Sequence, residues 1–352
     1  MNLVDKEIVD GMYRDGWRYT HFGEYWRRKY GYKVCKVPLN AGFTCPNWDG
    51  RIADEGCTFC PNFARQFTYD SFRTVIDKSW KEQVAHQIVH YKGMGAGEKA
   101  LVYIAFATNT YAPIEDLRKI YDAALDHKEV VGLSIGTRPD CLPDEVLDLM
   151  AEYVDDGKEV WIEVGQQTPH YHTLRDIRRG HGLAESIRVV REAHKRGIKV
   201  IFFNITGMPG ETPDETVETA RILSALEIDA IKQYPLIVMK GTKIAQDYLK
   251  GEYKPLGRME YVRLVCDLIE NLDRNILVQR LSKDCGLETK LAPEWNTYRL
   301  IVTPLVEKEL ARRNTRQGDR LKLSLCAEEL KPLKKPESTS LRRGRQKAPS
   351  RS

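Results

Sequence analysis

Six short apolar runs, spaced by amphipathic stretches between residues 33 and 250, restrict this chain to one kind of architecture. They read KVCKVPL (33–39), LVYIAFA (101–107), VVGLSI (130–135), VWIEV (160–164), KVIFFNI (199–205) and AIKQYPLIV (230–238). Strands separated by helix-length segments cannot pair as hairpins; each must cross over and return parallel to the last. Helix starts occupy the gaps. Thr212-Pro213-Asp214-Glu215 offers an N-cap hydroxyl, a proline at N1 where no N–H is needed, and a glutamate at N3. Pro113 and Pro143, each followed by acidic residues, mark two further starts. The expected fold is α/β, a partial (β/α)6 barrel whose mouth is lined by polar strand ends. Four such ends are Thr108-Asn109-Thr110, Gly136-Thr137-Arg138, Gly165-Gln166-Gln167 and Gly207-Met208-Pro209-Gly210.

Around the barrel at 33–250, three flanking segments are expected. Residues 251–326 should form a small C-terminal α+β extension, with a helix over 258–272, a strand over 276–282 and a second helix beyond 297. Residues 327–352 read as a disordered basic tail. From Lys331 onward eight Lys or Arg face one Glu, which leaves 47 basic and 49 acidic residues in the first 330, so the net charge of +5 resides in the tail. Such a Pro-, Ser- and Arg-rich stretch buries too little to fold, and either touches nucleic acid or only solubilises the chain. The N-terminal segment, 1–32, leads into an aromatic and basic stretch: Trp17, Tyr19, Tyr25, Trp26 and Tyr30 interleave with Arg18, Arg27, Arg28, Lys29 and Lys33. That pattern suits a platform for single-stranded RNA, or equally a plug for the bottom of the barrel with a solvated charged face.

Three of the eight cysteines, Cys45, Cys57 and Cys60, are spaced C-x11-C-x2-C just behind the first apolar run. An electron-transfer [4Fe–4S] cluster normally has four cysteine ligands, so three leave one iron open to an outside ligand. The amino and carboxylate groups of S-adenosylmethionine (SAM) suit that position, and one-electron cleavage of its sulfonium releases a 5′-deoxyadenosyl radical. A structural zinc site would need a fourth ligand, for which His86 or His90 is available. Disulfides fit poorly with so few, scattered cysteines. The chain shows no signal peptide and no apolar run of bilayer length, and is expected to be cytoplasmic, where thiols stay reduced.

The strings GFTCPNWDGRIADEGCTFC, IAFATNTYAP, GLSIGTRPD, EVGQQT, TLRDIRRGH, GMPGET and IKQYPLIVMKGT, in that order, resemble the radical SAM family typified by YhcC and YtqA. The resemblance runs from about Arg18 to about Arg320, and extends more distantly to the radical SAM half of the Elongator catalytic subunit. It implies that Cys45, Cys57 and Cys60 hold a [4Fe–4S] cluster and that Phe59 packs beside the SAM adenine. It puts Thr108 and Asn109 near the methionyl amino group, Gln167 on the ribose and Arg179 on the carboxylate, with Arg178 as its substitute and Arg138 of the TRPD string at the same mouth. Gly136 stands where the Elongator string has an acid, a contact that Glu163 is the candidate to replace. After Lys250 about seventy residues precede the tail, too few for the acetyltransferase domain of that subunit.

The function implied is reductive SAM cleavage by a radical SAM enzyme, with tRNA as candidate partner and the C5 substituent of the wobble uridine as candidate target. An electron donor such as flavodoxin or ferredoxin is implied, and no membrane. The alternatives are a small-metabolite or protein substrate, or a non-catalytic Fe–S scaffold or sensor.

Overall fold

The computed structural model describes residues 2–61, 78–285 and 288–324, so the basic tail expected over 327–352 lies outside the described residues. Each apolar run becomes a parallel strand: β1 (Val34–Leu39), β2 (Lys99–Ile104), β3 (Val130–Thr137), β4 (Glu159–Gln167), β5 (Lys199–Thr206) and β6 (Ala230–Pro235). Two short strands, β7 (Val238–Met239) and β9 (Lys290–Ala292), pair antiparallel to each other, and β8 (Leu277–Arg280) lies between them in sequence. The main sheet has seven strands in the order β1-β2-β3-β4-β5-β6-β8, and every neighbouring pair is parallel.

Alternation along each strand sorts its side chains between two faces. Outward-facing Val102, Ile104, Leu133, Ile135, Val160, Ile162, Val200 and Phe202 join one core with the helices Trp80–Gly93, Ile114–Leu125, Asp144–Asp155, Leu183–Lys195, Pro213–Ala225 and Arg258–Glu270. The cap expected at Thr212 forms, its hydroxyl accepting from Glu215 N–H while Glu215 reaches back to Thr212 N–H.

The inward-facing side chains show that the sheet is curled. Lys36 of β1 and Lys232 of β6 both pair with Glu163 of β4. In a flat sheet β1 and β6 would lie roughly 24 Å apart, five strand spacings, beyond the reach of two side chains meeting on one carboxylate. The strands therefore bend around a common interior, as expected of a partial barrel.

The bottom of that interior is filled from the N-terminal segment. Helices Lys6–Arg14 and Phe22–Tyr30 bring Val9, Met12, Phe22, Tyr25 and Trp26 against Leu101, Trp161, Ile201, Ala230 and Leu277, one residue from each of five strands. The Phe22 and Trp161 rings meet edge to face at 5.2 Å, and Trp26 lies 6.2 Å from Trp161. Of the aromatic and basic stretch, Tyr19, Tyr25 and Trp26 are buried, so these rings present no stacking surface to RNA. Four of the five cations are engaged: Arg27 and Arg28 on Glu24, Lys29 on Glu159, and Arg18 on Thr315 O. Of the two readings open in sequence, the plug is the one observed.

Three other expectations change. The run 101–107 ends as a strand at Ile104, because Phe106 and Ala107 turn into the left-handed region with φ of 71° and 55°. The run 230–238 breaks at Pro235, and Val238 belongs to the separate two-stranded ladder. The strand expected at 276–282 in a C-terminal extension instead continues the main sheet beside β6, and helices Arg258–Glu270 and Arg299–Arg313 place Val265, Ile269, Val302 and Val306 in the barrel's own core. A seventh parallel strand adds one β–α unit to the six read from sequence. Among the described residues no helix is long and apolar enough to cross a membrane.

The plug generates a stability prediction. Trp26→Ala should lower unfolding free energy by about 3–5 kcal/mol, the range for deleting a buried aromatic, read by denaturant titration. A loss below about 1 kcal/mol would mean that Trp26 does not brace the barrel.

Candidate active site

All three motif cysteines lie above the strand ends, on the loop that leaves β1. The loop is tightly folded: Trp48 N–H donates to Cys45 O at 2.8 Å, Gly56 N–H to Asn47 O at 2.8 Å and Cys60 N–H to Cys57 O at 2.9 Å. Gly56 has φ +72°, and a Cβ there would run into the Trp48 indole, so this turn requires glycine. The loop is anchored to its surroundings by Thr58, whose N–H donates to Ile177 O and whose carbonyl accepts from Ile244 N–H.

These cysteines share a cavity of about 900 Å³ with Phe59, Thr108, Asn109, Arg138, Glu163, Gln167 and Arg179, so every site residue expected from sequence except the substitute Arg178 lines one space. The zinc alternative loses its fourth ligand, since neither His86 nor His90 is among the lining residues. Among the described residues, no three His, Cys, Asp or Glu side chains are grouped to hold a single ion. Burial pushes the Cys60 thiol up to about 12, and the neighbouring Cys57 and Cys45 push the same way. Three thiols lining one cavity are the ligand set that a [4Fe–4S] cluster with one open iron would take.

The strand ends supply unpaired polar atoms around this space. Asn109 donates through Nδ2 to Ile104 O (3.0 Å) and Gly136 O (2.6 Å), which leaves its buried Oδ1 without a partner. Thr108 Oγ1 and Gln167 Oε1 are also buried without hydrogen bonds among the described residues. Leaving such groups unmade costs about 1–3 kcal/mol each, so three around one cavity point to a polar ligand. Backbone strain collects here too. Phe106, Ala107 and Gln167 all have positive φ, and the β4–β5 register shifts between Val164 and Gln167.

Two arginines behave differently from their sequence reading. Arg179 directs Nε and Nη2 at Gly165 O (3.2 and 2.7 Å), while Nη1 lies 3.5 Å from Cys57 Sγ. Its fork therefore grips the β4 end, and only its Nη1 side faces the thiols. Arg178 points away into an exposed ion pair with Glu55 and cannot take over from Arg179. Arg138 is clamped by Asp140 (2.9 Å through both Nε and Nη2) and donates to Arg179 O at 2.8 Å, so it positions the arginine loop; its buried Nη1 is left over.

Glu163 lines the cavity beside Gly136, its register partner on β3, but its carboxylate already accepts from Ser134 Oγ at 2.6 Å and pairs with Lys36 and Lys232. It is a counter-ion to lysines, not a free acid replacing the one absent at Gly136. Asn47 is a residue that sequence reasoning missed. Fully buried, it donates to Cys57 Sγ at 3.3 Å and to Arg178 O at 2.9 Å, tying the cysteine loop to the arginine loop. Its place two residues after Cys45, inside the motif, was the available signal.

Comparison with known proteins agrees with this geometry. The Radical SAM superfamily model matches residues 50–223 and the Radical_SAM C-terminal domain model matches 228–312. The chain is 44% identical to the uncharacterized protein MJ0486 of Methanocaldococcus jannaschii, over 91% of this chain and 98% of that one. It is 35% identical to YtqA of Bacillus subtilis, over 86% of this chain and 92% of YtqA. A tRNA uridine(34) acetyltransferase of M. jannaschii is 25% identical over 49% of this chain and only 31% of its own length. Among solved structures, the Methanocaldococcus infernus Elp3 with an N-terminal deletion superposes with a TM-score of 0.62 at 19% identity, covering 81% of this chain and 64% of that one, a likeness of fold. With near-full-length relatives at this identity, and three cysteines over the mouth of a curled parallel sheet, the chain belongs to the radical SAM superfamily, as an enzyme of the YtqA group with a [4Fe–4S] cluster and S-adenosylmethionine as cofactors.

Proposed function

We propose that this enzyme modifies tRNA by removing a hydrogen atom from the C5 substituent of the wobble uridine. The observation that carries the radical half of this reading is the cavity itself, where three thiols face unpaired acceptors on neighbouring strand ends. The RNA half is supported by similarity, over about half of this chain, to a relative named for uridine 34 of tRNA.

Cys45, Cys57 and Cys60 would hold the cluster. Asn109 Oδ1 and Thr108 Oγ1 suit the ammonium of SAM as acceptors, and Gln167 Oε1 suits a ribose hydroxyl. Phe59 packs against the cluster of Leu174, Ile177 and Leu236 and offers an apolar wall for the adenine. Arg179 Nη1, 3.5 Å from Cys57 Sγ, would meet the SAM carboxylate or the cluster's negative charge. When bound, the two cofactors supply a 5′-deoxyadenosyl radical to a substrate held in the barrel. The chain's own task is to orient both partners and keep water away. The electron would come from a separate donor of the flavodoxin or ferredoxin kind.

Replacing Arg179 with alanine removes a charge-assisted contact worth about 1.5–3 kcal/mol, so SAM should bind roughly ten- to a hundredfold more weakly in an equilibrium titration. The cluster's visible absorbance should persist. Unchanged SAM affinity would leave Arg179 as a brace for the β4 end and no more.

For the substrate, the cluster-loaded protein should retain tRNA on a column at low salt and release it steeply as salt rises, since each neutralised phosphate frees counterions. Protein that fails to retain tRNA even at low salt would overturn the RNA reading in favour of a small substrate.

A further inference from the structure

Three of the strand runs carry a charged residue at an inward-facing position in their interior: Lys36 in KVCKVPL, Glu163 in VWIEV and Lys232 in AIKQYPLIV. The curl of the sheet brings all three together halfway up the barrel, above the aromatic plug and below the cysteine loop. Lys36 and Lys232 both pair with Glu163, and Lys36 Nζ also lies 3.0 Å from Ser134 Oγ. Both ammonium groups sit over the Tyr103 ring, at 4.2 and 4.5 Å from its centroid. Glu163, Tyr103 and Phe203 are lining residues of the large cavity, and the two lysines lie directly behind them, on the Glu163 carboxylate and the Tyr103 ring, with Lys36 the more open of the two.

The arrangement is unbalanced for a purely structural ion pair. A buried ammonium loses several kcal/mol of hydration, which one carboxylate at close range can offset. Here one carboxylate serves two ammonium groups, and the π face of Tyr103 accommodates positive charge without neutralising it. Arg280 of β8 adds a third cation nearby, 3.5 Å from the Tyr234 hydroxyl. Burial, and then repulsion from Lys232 and Arg280, holds Lys36 well below the ordinary lysine range. The lysines nevertheless differ in access: 22% of the Lys36 side chain is open, against 7% for Lys232.

We propose that Lys36 and Lys232, spaced by Glu163, form an anion-binding floor that takes a compact oxyanion of the substrate, a carboxylate or a phosphate, beneath the radical-generating site. An oxyanion there would supply the second negative charge that the two lysines lack. It would also fix the depth at which the substrate lies, so that the hydrogen to be removed faces the cofactors above. This assignment rests on the radical SAM reading for its place in catalysis, but the anion site itself does not need the cluster.

The test uses the reconstituted wild-type protein and its Lys36→Met and Lys232→Met variants, with acetate and inorganic phosphate as separate probes. Thermal unfolding is followed as each probe replaces chloride at constant ionic strength. Wild type should show a saturable rise in its midpoint, and either lysine variant should weaken the apparent affinity about tenfold or more. Saturation by acetate at the lower concentration assigns the floor to a carboxylate, and by phosphate to a phosphate group. No saturable effect of either probe, or equal effects in wild type and both variants, would overturn the proposal. Wild-type crystals soaked in sodium bromide give a check that needs no variant: an anomalous peak should touch both Nζ atoms, and its absence counts against the site. Cluster absorbance in the same samples reports separately on the radical SAM reading, so failure of one is not failure of the other.

Discussion

A parallel sheet covered by helices on its outer face must still fill its inner one, and this requirement organises the molecule. Seven strands curl around an interior that no single layer of side chains can close. The N-terminal helices fill the bottom with Phe22, Tyr25 and Trp26 against Trp161. A layer of Lys36, Glu163 and Lys232 crosses the middle. The top is left as a cavity of about 900 Å³, and the cysteine loop hangs over it. Stability is thus concentrated at one end of the barrel and unpaired polar groups at the other.

That separation lets the upper end tolerate what a core could not. Positive φ at Phe106, Ala107 and Gln167 and orphaned acceptors on Thr108, Asn109 and Gln167 all sit at strand ends around the mouth. Each is a cost to the folded chain, and the orphaned acceptors are costs that a bound polar ligand relieves. Asn47 joins the cysteine loop to the arginine loop and Arg138 ties the arginine loop to the β3 end, so the thiols and the Arg179 guanidinium are positioned as a unit.

The strand cores were legible in sequence because alternation and the capping box at Thr212 are local signals, and they appear within a few residues of the expected bounds. Ends were less so. Nothing local in IAFATNT announces that Phe106 and Ala107 turn left-handed, since the Thr44 carbonyl, which accepts from Thr108 N–H, is 64 residues away in sequence. The strand at 277–280 was visible, but its partner was not: joining β6 depends on how helix Arg258–Glu270 packs, a tertiary matter. The site residues came into one cavity as read, yet their individual contacts did not follow. Glu163 proved to be a lysine counter-ion, and Arg179 holds Gly165 O with the fork assigned to a carboxylate. Motif strings carry residue identity and order, whereas the direction of a guanidinium is decided by whichever acceptor the fold brings nearest.

The central claim is that Cys45, Cys57 and Cys60 hold a cluster with one iron open to SAM. Mössbauer spectroscopy of 57Fe-reconstituted protein, recorded with and without SAM, tests it most directly, because a single iron that gains nitrogen and oxygen ligands separates from the cysteine-bound irons. The account predicts that SAM shifts one iron site and leaves the others unchanged. A spectrum indifferent to SAM, or one in which all irons respond alike, would contradict it.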